Sequence, residues 1–195
     1  MRDLRGSGRL RRTAIGVVIG TAVLSGCSEK QEANETLPPT SASSTTEALP
    51  EIGPADFPVP DEARTKDAAG AEAFLRYFID LMNRQRAIPD GQPLRDLGPE
   101  CQNCQRIAQN YEEAAAAGNR YEGGEVAVNA VAEPTFEGDK VVISFLARRE
   151  PVSIVDGSGT VVDAQPEVAP ELSSGIALVW SEGNQTWIVT GFDLG

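Results

Sequence analysis

The chain has 195 residues, 41% hydrophobic and 24% charged, with 17 basic against 29 acidic side chains, a formal charge of −12 and no histidine. That length allows one ordinary domain with extensions or two small ones, and the acidic balance opposes nucleic-acid binding, which depends on Lys and Arg against phosphates. Without His there is no imidazole base, Ser-His-Asp triad or mixed zinc site, and three Cys cannot form a four-thiolate site, so the composition asks for no metal and no cofactor.

The basic residues gather at the N-terminus. Arg2, Arg5, Arg9, Arg11 and Arg12 precede an apolar run of 11 residues, Ala14–Leu24. That run is too short to span a hydrocarbon core of roughly 30 Å as a mature helix. A positive segment followed by a short apolar one reads as a secretory signal, residues 1–26. Leu24-Ser-Gly-Cys27 follows. It resembles the bacterial lipobox, in which small residues admit the processing enzymes and the Cys thiol accepts a diacylglyceryl group. The resemblance implies that Cys27 is lipidated, becomes the mature N-terminus and anchors the protein on the extracytoplasmic face of the cell membrane. The alternative is an ordinary secretory signal that ends on a chance Cys. Arg11-Arg12 also hints at twin-arginine export, although its flanking residues match that signal poorly. Cleavage before Cys27 removes five Arg and Asp3, a net loss of four positive charges, and takes the formal charge from −12 to −16. A bacterial membrane surface is itself anionic, so like charge lifts the domain away while the acyl chains hold it.

Residues 28–56 are dominated by Ser, Thr, Pro, Glu and Ala and show no period of 2 or 3.6. Such a segment buries too little surface to offset its conformational entropy and reads as a disordered tether. As a coil of about 30 residues it reaches on the order of 30 Å. Its Ser/Thr/Pro runs suit O-glycosylation, and nothing in the sequence distinguishes modified from bare. Residues 57–195 remain for one folded domain.

Phe57-Pro-Val-Pro60 is extended, since Pro biases the residue before it away from helix. A helix follows over about 67–86, with Ala71, Phe74, Leu75, Phe78, Leu81 and Met82 in one apolar stripe. Thr65 or Asp67 caps its start, and Ile88-Pro-Asp-Gly91 turns the chain. Leu94–Leu97 makes one short helical turn. A second helix runs over about 103–117, on the weaker stripe Ile107, Ala108, Tyr111, Ala114 and Ala115, and Gly118 ends it. After Gly123-Gly124 the period becomes 2, with Val126, Val128, Ala130 and Ala132 alternating in a first strand. Glu137-Gly-Asp139 turns into a strand over 140–149. Asp156-Gly-Ser-Gly159 closes a hairpin between 152–155 and 160–163. Strands 176–180 and 187–192 flank Glu182–Gln185, which sets Trp180 opposite Trp187.

Helices followed by an antiparallel meander give an α+β order. Over residues 67–194 that order resembles the NTF2-like (cystatin-like) superfamily, which implies a curved sheet around a long N-terminal helix, with room for a conical pocket. Phe57-Pro-Val-Pro60, Gly70-Ala71, Arg76-Tyr-Phe78, Leu81-Met-Asn83, Leu94–Leu97 and Cys101-x-x-Cys104 follow the lipobox and tether. Together they are similar to a family of actinobacterial lipoproteins of unknown function. That resemblance implies an NTF2-like domain outside the membrane, and it implies no activity.

Three constellations could carry chemistry. Cys101-Gln-Asn-Cys104 at a helix N-terminus has the dipole that lowers a thiol pKa, but thiol–disulfide oxidoreductases set this motif after the strand of a βαβ unit. Outside the membrane a structural disulfide is the reading, with redox or metal roles as alternatives. Asp80, Tyr77, Tyr111 and Tyr121 are available for acid–base work in an NTF2-like pocket, and no spacing singles out a dyad. Phe74, Tyr77, Phe78, Tyr111, Trp180 and Trp187 are candidates to line a ligand pocket. Phe145 and Phe192 belong with these rings, and a domain of this size also needs such residues as core. Glu112-Glu113 and Asp61-Glu62 read as solvated faces, and Asp156–Gly159 as a turn lacking the EF-hand spacing for calcium. The reading is a non-enzymatic lipoprotein, anchored to the membrane through Cys27, whose domain binds an envelope protein or a small ligand and no nucleic acid. The rivals are an NTF2-like enzyme on a small lipophilic substrate and a thiol-redox accessory protein.

Overall fold

Asp67 caps the first helix, α1 (Ala68–Ala87): its Oδ1 accepts the Gly70 N–H at 2.7 Å and the Thr65 hydroxyl at 3.0 Å. This computed structural model describes residues 50–195, so the signal, Cys27 and the tether as far as residue 49 lie outside the described residues. The apolar stripe of α1 is buried, and the buried face extends to Tyr77 and Ile79. Tyr77 is off the stripe but covered from outside the helix, where Phe57 stacks on it at 5.3 Å. The short helix α2 (Gln92–Leu97) has Pro93 in its first turn, where no N–H is needed. Helix α3 (Gln102–Ala116) starts from Cys101, and Gly118 follows its C-terminus with φ +72°. There the Gly118 and Asn119 N–H groups bond the Ala115 and Ala114 carbonyls.

Eight strands follow. Five form one antiparallel sheet: β2 (Val126–Val131), β3 (Thr135–Glu137), β4 (Lys140–Arg149), β7 (Ala169–Ser181) and β8 (Thr186–Leu194). Their order is β2-β4-β7-β8, with β3 also on β4. Strands β1 (Arg120–Gly123), β5 (Val152–Val155) and β6 (Val161–Gln165) form a separate sheet in the order β1-β5-β6. Helices packed on antiparallel strands make the fold α+β, in the element order of the NTF2-like resemblance. Val141, Ile143, Phe145, Ala147, Ile176, Leu178, Val189 and Phe192 bury one face of the larger sheet with the stripe of α1.

Several features differ from the sequence-based expectation, among them strand β3, which was not expected, and β7, which begins at Ala169 and not at 176. The meander is not continuous, because β4 pairs with β7 directly and the hairpin between them belongs to the second sheet. Pro151 has no N–H to extend the β4 ladder, and its carbonyl instead accepts Gly124 N–H at 2.8 Å. Strand β1 was not expected, because Arg-Tyr-Glu-Gly has no apolar alternation and exists by pairing with β5. In β2 a bulge between Val128 and Ala130 breaks the period of 2, so Ala130 is exposed and Val131 turns toward the core. A further difference concerns the segment before residue 57, expected as tether, of which the described residues 50–56 pack on the domain. Ile52 contacts the core and its carbonyl accepts Val59 N–H at 2.8 Å, Arg64 Nη1 bonds the Pro50 carbonyl at 2.8 Å, and Arg84 Nη2 reaches Asp56 Oδ1 at 2.6 Å. A 3-10 turn, Asp61–Arg64, then leads into α1.

Trp180 and Trp187 are cross-strand neighbours, edge to face at 5.1 Å. Trp187 is fully buried and its indole N–H donates to the Thr65 carbonyl at 3.1 Å, which ties the last hairpin to the start of α1.

Candidate functional site

The alternation of β4 sends Val141, Ile143, Phe145 and Ala147 under the helices and Val142 and Ser144 to the opposite face. The register with β7 sets Val142 opposite Ala177, Ser144 opposite Gly175 and Leu146 opposite Ser173. Small residues on β7 leave a furrow across this outer face instead of a level surface. One part, about 380 Å³, is lined by the side chains of Val142 and Ala177 together with Thr135, Ser144 and Thr190. Lys140, Glu133 and Glu137 also line it. An adjoining hollow of about 760 Å³ shares Ala132 and Ser144 and runs on toward Leu146 and Asp193. Val142, near the start of β4, is 52% exposed. Thr190 donates its hydroxyl to the Ala177 carbonyl at 3.2 Å. A lining of apolar, hydroxyl and mixed-charge groups suits amphipathic contacts. This furrow was not legible in the sequence. Its signal was the Val142/Ser144 side of the β4 alternation, but its shape depends on small residues some thirty positions away.

The residues singled out from the sequence fall elsewhere. Phe74, Tyr77, Phe78, Tyr111 and Trp187 are buried and Trp180 is half-buried; all six pack in or against the core, and none lines the furrow. The rings meet one another: Phe78 against Phe192 at 5.4 Å, and Phe74 against Tyr77 at 6.1 Å. All three tyrosine hydroxyls donate to main-chain carbonyls, Tyr77 to Phe57 at 3.0 Å, Tyr111 to Met82 at 3.4 Å and Tyr121 to Asn110 at 3.4 Å. Burial pushes the Tyr77 phenol up to about 12, with Arg84 opposing. Burial also raises the Asp80 carboxyl, against the field of Arg76. Asp80 lies on the exposed side of α1, so it forms no dyad with Tyr77 or Tyr111 inside the core.

Cys101 and Cys104 are joined by a disulfide, 0% and 1% exposed. Cys101 Sγ also accepts the Cys104 N–H at 3.1 Å, as a cap of α3. Gly98 lies against both residues, and such burial denies an attacking thiolate its approach. Glu112 is engaged: Arg95 donates to both its oxygens, at 3.1 and 2.7 Å, and holds the carboxyl below its ordinary range. Glu113, Asp61 and Glu62 are exposed. Asp156 organises the β5–β6 turn, accepting from Ser158 and Thr160, and these bonds lower its pKa. Among the described residues no group of three or more metal-ligating side chains occurs.

A polar cluster joins α1 to the strands. Asn83 donates to the Val126 carbonyl at 2.8 Å and accepts the Val126 N–H at 2.9 Å, as a neighbouring strand would. Arg86, 7% exposed, donates to Asn83 Oδ1 at 2.7 Å and to the Gly123 carbonyl at 3.1 Å.

A family model described as a family of unknown function (DUF6318) matches residues 56–193. No curated protein matches the chain. Among solved structures, the intermembrane space region of the chloroplast protein ARC6 is 13% identical with a TM-score of 0.45, covering 67% of this chain and 97% of that one. A domain of unknown function with a cystatin-like fold from Nostoc punctiforme is 13% identical with a TM-score of 0.39, covering 65% and 76%. An NTF2-like superfamily protein from Salmonella enterica serovar Typhimurium is 12% identical with a TM-score of 0.40, covering 66% and 92%. Likeness at this level carries no function across.

Proposed function

We propose, from the premise that this chain belongs to the DUF6318 family of unknown function, that it is a lipoprotein of the actinobacterial envelope. Its NTF2-like domain acts as a non-catalytic binding module. Lipid on Cys27 holds it to the extracytoplasmic face of the membrane, and the outer-sheet furrow receives its ligand or partner. The anchor reading rests on the Arg-rich start, the short apolar run and Leu24–Cys27. No helix among the described residues is long and apolar enough to cross a membrane.

The observation that carries the binding reading is the contrast between the two faces of the larger sheet. One face is covered by α1 and closed with aromatic rings, whereas the other opens a furrow with an exposed Val142. Exposed apolar surface framed by polar groups is where soluble domains make contacts. The test is fluorescence of the amphipathic dye anilinonaphthalene sulfonate with the native chain. Val142→Glu and Ala177→Glu are expected to abolish the enhancement without lowering Tm by more than a few degrees. Dye binding that survives both substitutions contradicts the furrow as the site. For the anchor, Cys27→Ala is expected to remove the lipid mass and release the protein from membranes; unchanged mass and partition contradict it.

A further inference from the structure

Helix α1 has 20 residues, so its ends lie about 30 Å apart. Its N-terminus meets the packed segment that starts at Pro50, through Arg64, which also bonds the Asn184 carbonyl in the β7–β8 turn. Its C-terminus meets β1, through Arg86 and Gly123. The three-stranded sheet therefore stands at the end of α1 away from Pro50.

Between α3 and that sheet lie two adjoining hollows, of about 390 and 210 Å³, which share Asn110, Tyr121, Ile154 and Asp163. Asn119 lines the first and Gln165 the second. The lining differs in kind from that of the furrow. It contains no Lys or Arg, so nothing in it would compensate a phosphate or carboxylate. Three carboxamides, Asn110, Asn119 and Gln165, have side chains that bond no other described residue, and each offers a donor and an acceptor in one plane. Asp163 Oδ1 accepts the Ala164 N–H at 2.8 Å, which orients the carboxylate and leaves its second oxygen free. The Tyr121 ring is fixed twice, by its bond to the Asn110 carbonyl and by edge-to-face contact with buried Tyr111 at 5.4 Å. Ile154 adds an apolar wall.

We propose that this distal hollow binds a neutral saccharide, with Tyr121 and Ile154 against the apolar face of a sugar ring and the carboxamides and Asp163 on its hydroxyls. A hydroxyl both donates and accepts, so planar amides and carboxylates pair with neighbouring hydroxyls. An aromatic body held rigid offers contact area at little entropic cost. Charge supplies the selectivity: Glu113 and Asp163 repel phosphorylated or acidic sugars. An open, preformed site of this kind binds weakly.

The test is calorimetric titration of the full chain with chitotetraose, maltotetraose and mannotetraose, and with an oligogalacturonate as the acidic counterpart. At least one neutral probe is expected to bind with a Kd of about 0.1–1 mM, and the acidic one is not. Tyr121→Ala should weaken binding by about tenfold or more, while Tyr121→Phe stays within about twofold. Asn119→Ala and Gln165→Ala, at the rim and outside the core, should each weaken it several-fold and keep the native circular dichroism, so that loss of binding is separable from loss of fold. Absence of binding by all three neutral probes at about 10 mM overturns the proposal. So does binding that is insensitive to Tyr121→Ala, or capture of a lysine-rich peptide in the hollow with no sugar bound.

Discussion

Asn83 shows how one side chain substitutes for a strand. By offering Val126 both a donor and an acceptor it starts the ladder of β2 from the surface of α1, and Arg86 braces the same amide. Asn83→Leu removes both bonds and leaves the Arg86 guanidinium and the Val126 N–H short of partners. The expected loss is about 2–3 kcal/mol in urea denaturation, and a change below about 0.5 kcal/mol contradicts this role. Tyr77 gives a pH dependence. Its phenol is pushed up to about 12 by burial, above the value of about 10 expected in an unfolded chain. The folded state thus favours the neutral form, so the contribution is complete below pH of about 10 and is lost as pH rises through about 12. Tm of the native chain should fall over that window, and Tyr77→Phe should fall less steeply. Equal alkaline slopes contradict the assignment. Neither residue's role was visible in the sequence. Asn83 sits 43 positions before its partner, and Tyr77 reads as off-stripe until Phe57 is seen to cover it.

At the scale of elements, the parts held by local signals were legible. Helix α1 starts one residue after its Asp67 cap, α3 ends just before Gly118, and the last hairpin aligns Trp180 with Trp187. The parts that were not legible depend on partners distant in sequence. Strand β1 exists because β5 pairs with it, and the bulge in β2 follows from its fit to β4. The Cys101–Cys104 disulfide is a local device as well: it closes the turn that leads into α3, beneath Gly98. Closing so short a loop contributes roughly 2 kcal/mol by chain entropy. With both sulfurs buried, glutathione at neutral pH is expected to leave the bond intact in the folded protein, and reduction in denaturant to cost about that stability on refolding. Rapid reduction of the native protein by glutathione, followed by mass shift of alkylated thiols, contradicts a purely structural role.

The larger sheet has one face closed by α1 and another open. The α+β order was legible because the period changes from 3.6 to 2 at Gly123-Gly124, whereas the sequence left the large aromatics as pocket lining or core, and they pack in or against the core. Which strands adjoin was not legible, since β4 and β7 meet across an intervening hairpin and their register alone lines up Val142 with Ala177 and Ser144 with Gly175. The furrow is therefore a property of pairing, and no segment of the sequence displays it. Its position on the sheet face away from α1 distinguishes it from a pocket enclosed between helix and sheet. Amide chemical shifts recorded while anilinonaphthalene sulfonate is added to the native chain distinguish the two. Perturbations are expected to gather on Val142, Ser144, Ala177 and Thr190. Perturbations centred on Phe74, Phe78 and Trp187, inside the helix-facing core, would contradict the furrow as the site.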